Sequence, residues 1–304
     1  MHVKNYYLFL VFLYFCINME AQCPKREMRA TRIATVGGID WPKSAGATSQ
    51  KAEMLKMLDS IQTLNLNTVF FQVRSRCDAM YKSSYEPWSS DLKIPRGTNP
   101  GYDPLAFVIE ECHKRGIECH AWLNPYRYNK TGDGWTGSNN WPYNYENTHP
   151  EWLLWYSDNV ILDPAIPEVR LLITNIVKEI TTNYDIDGII FDDYFYPTTD
   201  ASFDSGTYAA YQNSGGTLSL ADWRRENVNA LMELCHAAAR RYGVRFGAAP
   251  AGDPEQNYTL QYSDAARWLR QGTVDYLMPQ LYWGQEYIKN GDASHSFAQL
   301  AAAW

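Results

Sequence analysis

The stretch Asp187–Pro197, with the sequence DGIIFDDYFYP, decides the fold of this chain. Its apolar run is rich in Ile and Phe, which predicts a strand buried on both faces, as in a parallel sheet. The strand should end at Pro197, because proline cannot donate a hydrogen bond to a neighbouring strand. Side chains alternate along a strand, so the adjacent acids Asp192 and Asp193 should point to opposite faces.

Two carboxylates at the end of a buried parallel strand lie where α/β barrels hold their reactive groups. The face of Asp193 is the bulkier one and suits the helix layer, which leaves Asp192 for the barrel mouth. We expect Asp192 in a solvent-filled, ring-lined pocket; a carboxyl sealed from solvent would leave only a ligand-binding role. The alternative is that both acids cap a neighbouring helix or pair with surface arginines.

The composition limits the possible partners. The chain has 304 residues, of which 45% are hydrophobic, enough for one barrel-sized domain or two smaller ones. Its formal net charge of -7 argues against a nucleic-acid partner, because phosphate binding needs a basic surface. An open sheet that binds a nucleotide normally carries a Gly-rich turn after its first strand. The only candidate, Gly37-Gly38, lies inside the predicted strand, and we predict no cofactor.

The first 21 residues are typical of an export signal. His2 and Lys4 precede the apolar run Tyr6–Ile17, and Ala21 offers a cleavage site. An uncleaved N-terminal anchor and a lipid on Cys23 are the alternatives. We therefore expect a secreted protein, periplasmic or at the cell surface, which contacts a membrane only through its signal or a lipid.

The cysteines do not form a recognisable pattern. Of 6 Cys, Cys16 leaves with the signal, and the odd number that remains is no disulfide framework. The pairs Cys112-His113 and Cys119-His120 suggest zinc, but their spacing fits no common ligand pattern. We predict no metal site.

Predicted strands alternate with predicted helices along the chain, which favours parallel βα units. Loops that enter strands are short, whereas loops that leave strands are long and hold most of the 11 Trp and 22 Tyr. In a (β/α)8 barrel the long loops emerge on one face, which is the active one. We predict an α/β fold, a (β/α)8 TIM-type barrel, with a doubly wound open sheet as the alternative. The predicted strands are Arg32–Ile39, Thr68–Arg74, Ile117–Asn124, Asp187–Pro197, Val244–Ala249 and Val274–Tyr282.

Capping residues and apolar spacing predict the helices, and one long loop is expected to contain a hairpin. The region Ala201–Thr217 shows no pattern and is expected to be a loop. Helices are predicted from Ser49 to Leu64, Asp103 to Gly116, Pro167 to Ile180, Ser219 to Arg241, Ser263 to Gln271 and from His295 onward, and the hairpin over Trp152–Leu162.

A barrel closes with eight strands, and only six are predicted here. We expect residues 22–304 to form one barrel that lacks the last two βα units, as a fragment of a longer gene product. A complete six-stranded open sheet is the alternative.

These motifs resemble the glycosyl hydrolase-like 10 family, secreted barrel proteins of bacteria. The resemblance implies a TIM-type barrel and hydrolysis of glycosidic bonds, and at least one relative is associated with cutting peptidoglycan strands stripped of their peptides. The residues that carry the resemblance are Arg32–Trp41, Phe71–Arg74, Asp78–Tyr81, Glu86–Ser89, Gly101–Pro104, His120–Arg127, Asp187–Pro197 and Pro279–Trp283.

Glycoside hydrolysis needs one carboxyl that protonates the leaving oxygen and a second that attacks the sugar or activates water. The resemblance implies that the position of Asp192 is the more constant acid. We predict Asp192 as nucleophile or charge stabiliser, and Asp193 as a residue that orients Asp192 or binds substrate. The second carboxyl stays open among Asp78, Asp40 and Glu286 or a residue on an absent strand.

Polar and aromatic side chains near the strand ends are predicted to bind the sugar. Arg74 is also a candidate for a substrate carboxylate, such as that of a lactyl-bearing sugar. The alternatives are a polar layer inside the barrel, a core histidine, and rings that only pack the loops together. The candidates are Gln72, Arg74, His120, Trp122, Asn124, Tyr126, Arg127, Tyr194, Gln280, Tyr282 and Trp283, with Trp88 as a further ring.

The expected partner is therefore a glycan or polysaccharide, and the predicted function is a secreted glycoside hydrolase that acts on bacterial cell-wall glycan. A carbohydrate-binding protein without catalysis is the first alternative. A metal-dependent hydrolase that uses Asp192, Asp193 and His120 is the second. A barrel alone cannot separate them, because barrels host many chemistries.

Overall fold

The computed structural model describes residues 27–130, 143–288, 292 and 294–304. The described residues do not include the predicted signal, Cys16 or Cys23. They also do not include Trp135 and Trp141, which lie in the long loop after the predicted strand Ile117–Asn124. Within the described ranges, no helix is both long enough and apolar enough to cross a membrane.

Six parallel strands form the main sheet, and neighbours in the sheet follow the order of the chain. A doubly wound sheet reverses its strand order at a switch point, so that alternative is wrong. The sheet forms a half-barrel with the strand order of a TIM-type barrel, and β1 and β9 are its edges. The strands are β1 (Ala30–Ile33), β2 (Thr68–Arg74), β3 (Glu118–Leu123), β7 (Gly188–Phe191), β8 (Arg245–Ala248) and β9 (Tyr276–Leu277).

Helices connect the strands and pack on the outer face of the sheet. Asp103 caps its helix through a hydrogen bond from the Ala106 amide, and Ser219 caps another through the Asp222 amide, as predicted. The helices are α1 (Ala47–Thr63), α2 (Pro104–Lys114), α3 (Tyr145–Thr148), α4 (Pro167–Asn183), α5 (Ser205–Asn213), α6 (Leu220–Arg240), α7 (Pro254–Thr259), α8 (Ala265–Gln271) and α9 (Phe297–Ala303), with single 3-10 turns at Val36–Gly38, Ser90–Leu92 and Pro150–Trp152.

The two faces of the sheet bury different sets of residues. A large apolar cluster between the strands and the helices includes Ile189 and Phe191. A small cluster on the concave face contains Phe70, Ile190 and Ala249. This separation confirms that the alternating residues of β7 face the barrel interior and the helix layer in turn.

A three-stranded antiparallel sheet stands beside the barrel mouth, with the order β4 (Arg127–Lys130), β6 (Asn159–Leu162), β5 (Leu153–Tyr156). The predicted hairpin over Trp152–Leu162 is confirmed as β5 and β6. The pairing of β4 with β6 was not predicted.

Several predicted bounds are wrong. β1 ends at Ile33 instead of Ile39, because the chain turns through Gly37 at φ +61° and Asp40 accepts a hydrogen bond from the Ala34 amide at 2.8 Å. Ser49 lies inside α1, whose N-cap is Gly46. β7 and β9 are also shorter than predicted, since the chain leaves the regular ladder soon after the last apolar residue.

The region Ala201–Thr217 contains α5, so the expectation of a loop is wrong. This helix has no side-chain cap and no buried residue of its own, and hence neither of the usual sequence signals. Packing between Tyr208, Tyr211 and Trp223 holds it against the start of α6.

Candidate active site

Asp192 lies directly after β7 at the carboxyl end of the half-barrel, where its amide donates to the carbonyl of Leu123 at 3.3 Å. Its Oδ2 accepts hydrogen bonds from Trp122 Nε1 at 3.2 Å and from Asn124 Nδ2 at 3.3 Å. The residue is only 2% exposed. The expectation of a carboxyl open to solvent is therefore wrong, because its neighbours cover it.

Burial raises the pKa of Asp192 to about 7, against the opposing effect of the Arg127 charge. The nearby carboxylate of Asp193 also raises this pKa, whereas the hydrogen bonds from Trp122 and Asn124 lower it. Oδ1 of Asp192 is buried and accepts no hydrogen bond from any described residue. The carboxyl therefore holds a proton near neutral pH, and its second oxygen is free to carry it.

Asn124 is the residue through which the surrounding chain holds Asp192. Its amide donates to the carbonyl of Arg74 at 2.9 Å, and its Oδ1 accepts from the Arg127 amide at 2.8 Å. The Arg74 guanidinium donates to the carbonyl oxygens of Asn124 and Pro125. These contacts fix the turn after β3 from both sides. They orient the side-chain amide of Asn124 toward the carboxyl group of Asp192.

Arg74 does not reach the mouth, so its predicted contact with a substrate carboxylate is wrong. It is 0% exposed, and its Nε lies 2.8 and 2.9 Å from the two oxygens of Glu86. The two charges are buried as a pair, because an unpaired charge inside a protein costs several kcal/mol. Arg74 stabilises the fold around the site.

Asp193 lines a cavity of about 390 Å³ that Asp192 does not line, instead of packing in the helix layer. Its Oδ2 accepts a hydrogen bond from Gln261 Nε2 at 3.2 Å. Arg127 lies in the same cavity with its guanidinium carbon 4.4 Å from the centre of the Tyr194 ring. The opposite orientation of the two acids stays a prediction, because β7 ends at Phe191, before either of them.

The family model for glycosyl hydrolase-like 10 matches residues 27–301. The chain belongs to the glycosyl hydrolase-like 10 family. Glycosyl hydrolase YngK of Bacillus subtilis is 40% identical over 281 residues, which cover 85% of this chain and 54% of YngK. Glycosyl hydrolase DigH of Escherichia coli is 39% identical over 295 residues, which cover 86% of this chain and 67% of DigH. The chain spans about half the length of YngK, and its membership of the family supports a glycosidase-like function.

Solved glycoside hydrolases share the fold of this family member at low sequence identity. The PgaB (BpsB) glycoside hydrolase domain of Bordetella bronchiseptica has a TM-score of 0.58 at 13% identity, over 91% of this chain and 80% of that one. Alpha-L-fucosidase isoenzyme 2 of Paenibacillus thiaminolyticus has a TM-score of 0.54 at 14% identity, over 83% of this chain and 35% of that one. These similarities concern the fold alone, which they confirm as barrel-like.

Two polar residues that were predicted to bind sugar instead make hydrogen bonds that stabilise the fold. Gln72 is 1% exposed, and its Oε1 accepts from the amides of Thr35 and Val36 at 2.9 Å, which holds the turn after β1. His120 is 0% exposed, with its Nδ1 2.7 Å from the Tyr276 hydroxyl. Burial and the Arg245 charge lower the pKa of His120 to about 4, so the ring is neutral. His120 is a core histidine, and its predicted ligand contact is wrong.

Asp78 and Tyr126 are also buried away from the mouth. Asp78 is 1% exposed and accepts hydrogen bonds from Ser89 at 2.8 Å and Arg96 at 3.2 Å. Tyr126 is 0% exposed and packs edge-on against Phe195 at 6.2 Å. The Asp78 carboxylate is occupied by Ser89 and Arg96, and Tyr126 lies in the large apolar cluster, so both residues stabilise the fold and their predicted roles in the site are wrong.

The remaining candidates lie on or near the mouth. Tyr194 and Tyr282 are 56% and 74% exposed. Gln280 donates to the carbonyl of Ala249 at 2.7 Å and accepts from the Tyr282 hydroxyl. Trp122 and Trp283 are half-buried, whereas Trp88 packs against the outer apolar cluster. The predictions for Trp122, Asn124, Arg127, Tyr194, Gln280, Tyr282 and Trp283 stay predictions.

Some residues of the site escaped the sequence analysis. Arg32 lies over the Trp122 ring at 4.9 Å, and Gln261 reaches Asp193 from the loop after α7. Arg32 belongs to the motif Arg32–Trp41 but was not proposed as a site residue, whereas Gln261 stands in no motif, and only the fold brings each of them close. Among the residues with described positions, no three His, Cys, Asp or Glu side chains are grouped so as to hold a metal ion.

Proposed function

We propose that this protein is a glycoside hydrolase that acts on bacterial cell-wall glycan, including strands stripped of peptide, or on a related polysaccharide. We place its action outside the cytoplasm, in the periplasm or at the cell surface, because residues 1–21 are typical of an export signal. Family membership and the position of Asp192 at the carboxyl end of a barrel strand support the activity.

The observation that carries the proposal is the burial of Asp192 at the carboxyl end of β7, which raises the pKa of its carboxyl. A general acid works best when its pKa lies near the working pH, and burial raises that of Asp192 to about 7. We therefore assign Asp192 the role of proton donor to the leaving oxygen, in place of the nucleophile suggested by the sequence. Asp192 is 2% exposed and covered in this structure, so hydrolysis requires that substrate displace the side chains that cover it. If those side chains stay in place, only the ligand-binding role remains.

The second carboxyl must be one whose oxygens are not consumed by the fold. Asp78 is paired with Arg96, and Asp40 accepts from the Ala34 amide in the turn after β1. Asp193 keeps one oxygen without a donor, and Glu286 is exposed. Within the described chain, Glu286 is the predicted second carboxyl that the fold leaves available, and a residue on an absent strand stays the alternative. Asp193, for which the sequence predicted an orienting or substrate-binding role, also keeps a free oxygen.

Incubation with purified, peptide-free glycan strands tests the activity. New reducing ends, detected by chromatography and mass spectrometry, should form with the wild type and fall at least a hundredfold with Asp192→Asn. Asp185→Asn is the matched control, because that side chain is 96% exposed at the opposite end of β7. Full turnover by Asp192→Asn would remove Asp192 from the mechanism.

A carbohydrate-binding protein without catalysis is the second candidate, and the burial of Asp192 favours it. It retains the exposed rings of Tyr194 and Tyr282, which suit the apolar faces of sugars. Saturable glycan binding with no new reducing ends after prolonged incubation would establish this function and exclude hydrolysis.

A further inference from the structure

We propose that the cavity beside Asp193 is a recognition subsite for an uncharged sugar ring with adjacent hydroxyl groups. This inference deepens the proposed function and rests on it for the identity of the whole ligand. The cavity, here called the hairpin cavity, lies between β5–β6, the loop after β7 and the loop after α7. Its lining includes Arg127, Tyr156, Asn159, Asp193, Tyr194 and Gln261.

The hairpin cavity has the size and the lining of a ligand site. Its volume of about 390 Å³ falls within the range of small-molecule pockets. Tyr194 is 56% exposed and Tyr156 40%, so both rings present free surface to a ligand. Aromatic rings combined with a few polar groups suit a sugar, which has apolar C–H faces and a polar rim.

The polar atoms that lack partners define what the ligand must bring. Oδ1 of Asp193 and Oε1 of Gln261 are buried, and no described residue donates a hydrogen bond to either. Both atoms are acceptors, and they belong to adjacent side chains, because Gln261 Nε2 donates to the other Asp193 oxygen at 3.2 Å. Unpartnered buried acceptors cost free energy, which neighbouring O–H or N–H donors of a ligand recover.

The charges of the lining favour a neutral ligand. Arg127 is the one cation and Asp193 the one anion among the residues that line the hairpin cavity. The Arg127 guanidinium is already stacked on Tyr194 at 4.4 Å. A ligand carboxylate placed against Asp193 and Gln261 would add acceptors where donors are needed, whereas vicinal sugar hydroxyls supply two donors.

The hairpin cavity adjoins the proposed acid through shared residues. Asp193 follows Asp192 directly, and the Arg127 amide donates to the same Asn124 side chain that contacts Asp192. A sugar held in the hairpin cavity is therefore positioned next to the glycosidic bond whose leaving oxygen Asp192 protonates. The cavity selects the neutral sugar of a glycan and sets which glycosidic bond reaches the acid.

Calorimetry on proteins that carry Asp192→Asn tests the subsite without interference from hydrolysis. The probes are the neutral tetrasaccharide of β-1,4-linked N-acetylglucosamine and the anionic tetramer of galacturonic acid. Gln261→Leu should raise the Kd for the neutral probe about fivefold, as expected for one lost hydrogen bond, and Asp193→Asn about tenfold or more. The anionic probe should bind at least tenfold more weakly than the neutral one.

Gln212→Leu is the matched control, since Gln212 is exposed on α5 outside the cavity and should leave the Kd unchanged. Should Asp193→Asn fail to fold by circular dichroism, Tyr156→Ala tests the same cavity from its exposed wall, with a Kd raised about tenfold. Equal affinities for Gln261→Leu and Gln212→Leu, or tighter binding of the anionic probe, would overturn the subsite.

The outcomes separate this subsite from the hydrolase. Binding that depends on Gln261, without cleavage of glycan strands by the wild type, would retain the subsite and exclude the enzyme. Cleavage of glycan strands by the wild type, together with a Kd that does not change on substitution of Gln261 or Asp193, would retain the enzyme and exclude the subsite.

Discussion

The side chain of Asn124 donates a hydrogen bond to Oδ2 of Asp192 across 3.3 Å and thereby joins the ends of β3 and β7. Both residues are almost fully buried, at 0% and 2% exposure. Donation to a carboxylate favours its charged form, and this bond is one of the effects that hold the pKa of Asp192 down. Asn124 therefore controls both the orientation and the protonation of the proposed acid.

Asn124→Leu should move the alkaline limb of the kcat/KM profile to higher pH. The leucine removes the donor, so the pKa of Asp192 should rise further above its ordinary value. The rate should also fall about tenfold to a hundredfold, because the carboxyl loses its orientation. Asn213→Leu, at an exposed position of α5, is the control. An unshifted alkaline limb in Asn124→Leu would refute this role for Asn124.

The raised pKa of Asp192 predicts how stability depends on pH. The folded protein retains a proton up to about pH 7, whereas the unfolded chain releases it near the ordinary value of 3.8. The wild type should therefore lose more stability than Asp192→Asn as pH rises between these values. Relative to the wild type, the free energy of unfolding of Asp192→Asn should be up to about 4 kcal/mol higher at pH 8 than at pH 3.

Urea unfolding of both proteins across this pH range measures the difference. Glu86 and Asp163, whose pKa values burial raises to about 6, contribute equally to both proteins and cancel. Asp185→Asn should follow the wild type, because its side chain is 96% exposed. A constant stability difference between Asp192→Asn and the wild type would show that Asp192 titrates normally.

The sequence predicted a helix or strand well where the residues of that element alone determine where it begins and ends. β2 is predicted from end to end, because its β-branched and aromatic residues favour a strand and all seven positions are buried. The caps at Asp103 and Ser219 are read equally well, since each hydrogen bond spans only three residues. α5 was missed because rings from α6 hold it in place, and such contacts leave no local pattern.

The sequence predicted where the site lies better than it predicted which residues belong to it. The place of Asp192 at the carboxyl end of a parallel strand could be predicted, because the apolar run of β7 ends directly before it. Gln72, Arg74 and Asp78 also stand near strand ends, yet each is neutralised or bound by a partner elsewhere in the chain, such as Glu86 for Arg74. Whether a polar side chain faces substrate or a buried partner is decided by packing, which the sequence does not display.

Removal of one partner of the Arg74–Glu86 ion pair should destabilise the protein far more than replacement of both partners by apolar residues. Glu86→Leu leaves the 0% exposed guanidinium without its counter-charge, which should destabilise the protein by about 3–5 kcal/mol. The double variant Arg74→Met/Glu86→Leu should recover much of that loss, because no unpaired charge remains. Chemical denaturation of the single and double variants measures the coupling. A double variant as unstable as the sum of the single ones would contradict this.

Gly188→Ala should destabilise the barrel through His120. A methyl group at Gly188 would overlap the His120 imidazole, which is fixed by its 2.7 Å contact with the Tyr276 hydroxyl. Overpacking of this kind costs about 1–3 kcal/mol, measurable by urea unfolding. Gly206→Ala is the matched control, because nothing lies within 4 Å of its added methyl group and alanine favours a helix. His120→Ala should make Gly188→Ala almost neutral, since the overlapping ring is gone; a full penalty in that background would place the clash elsewhere.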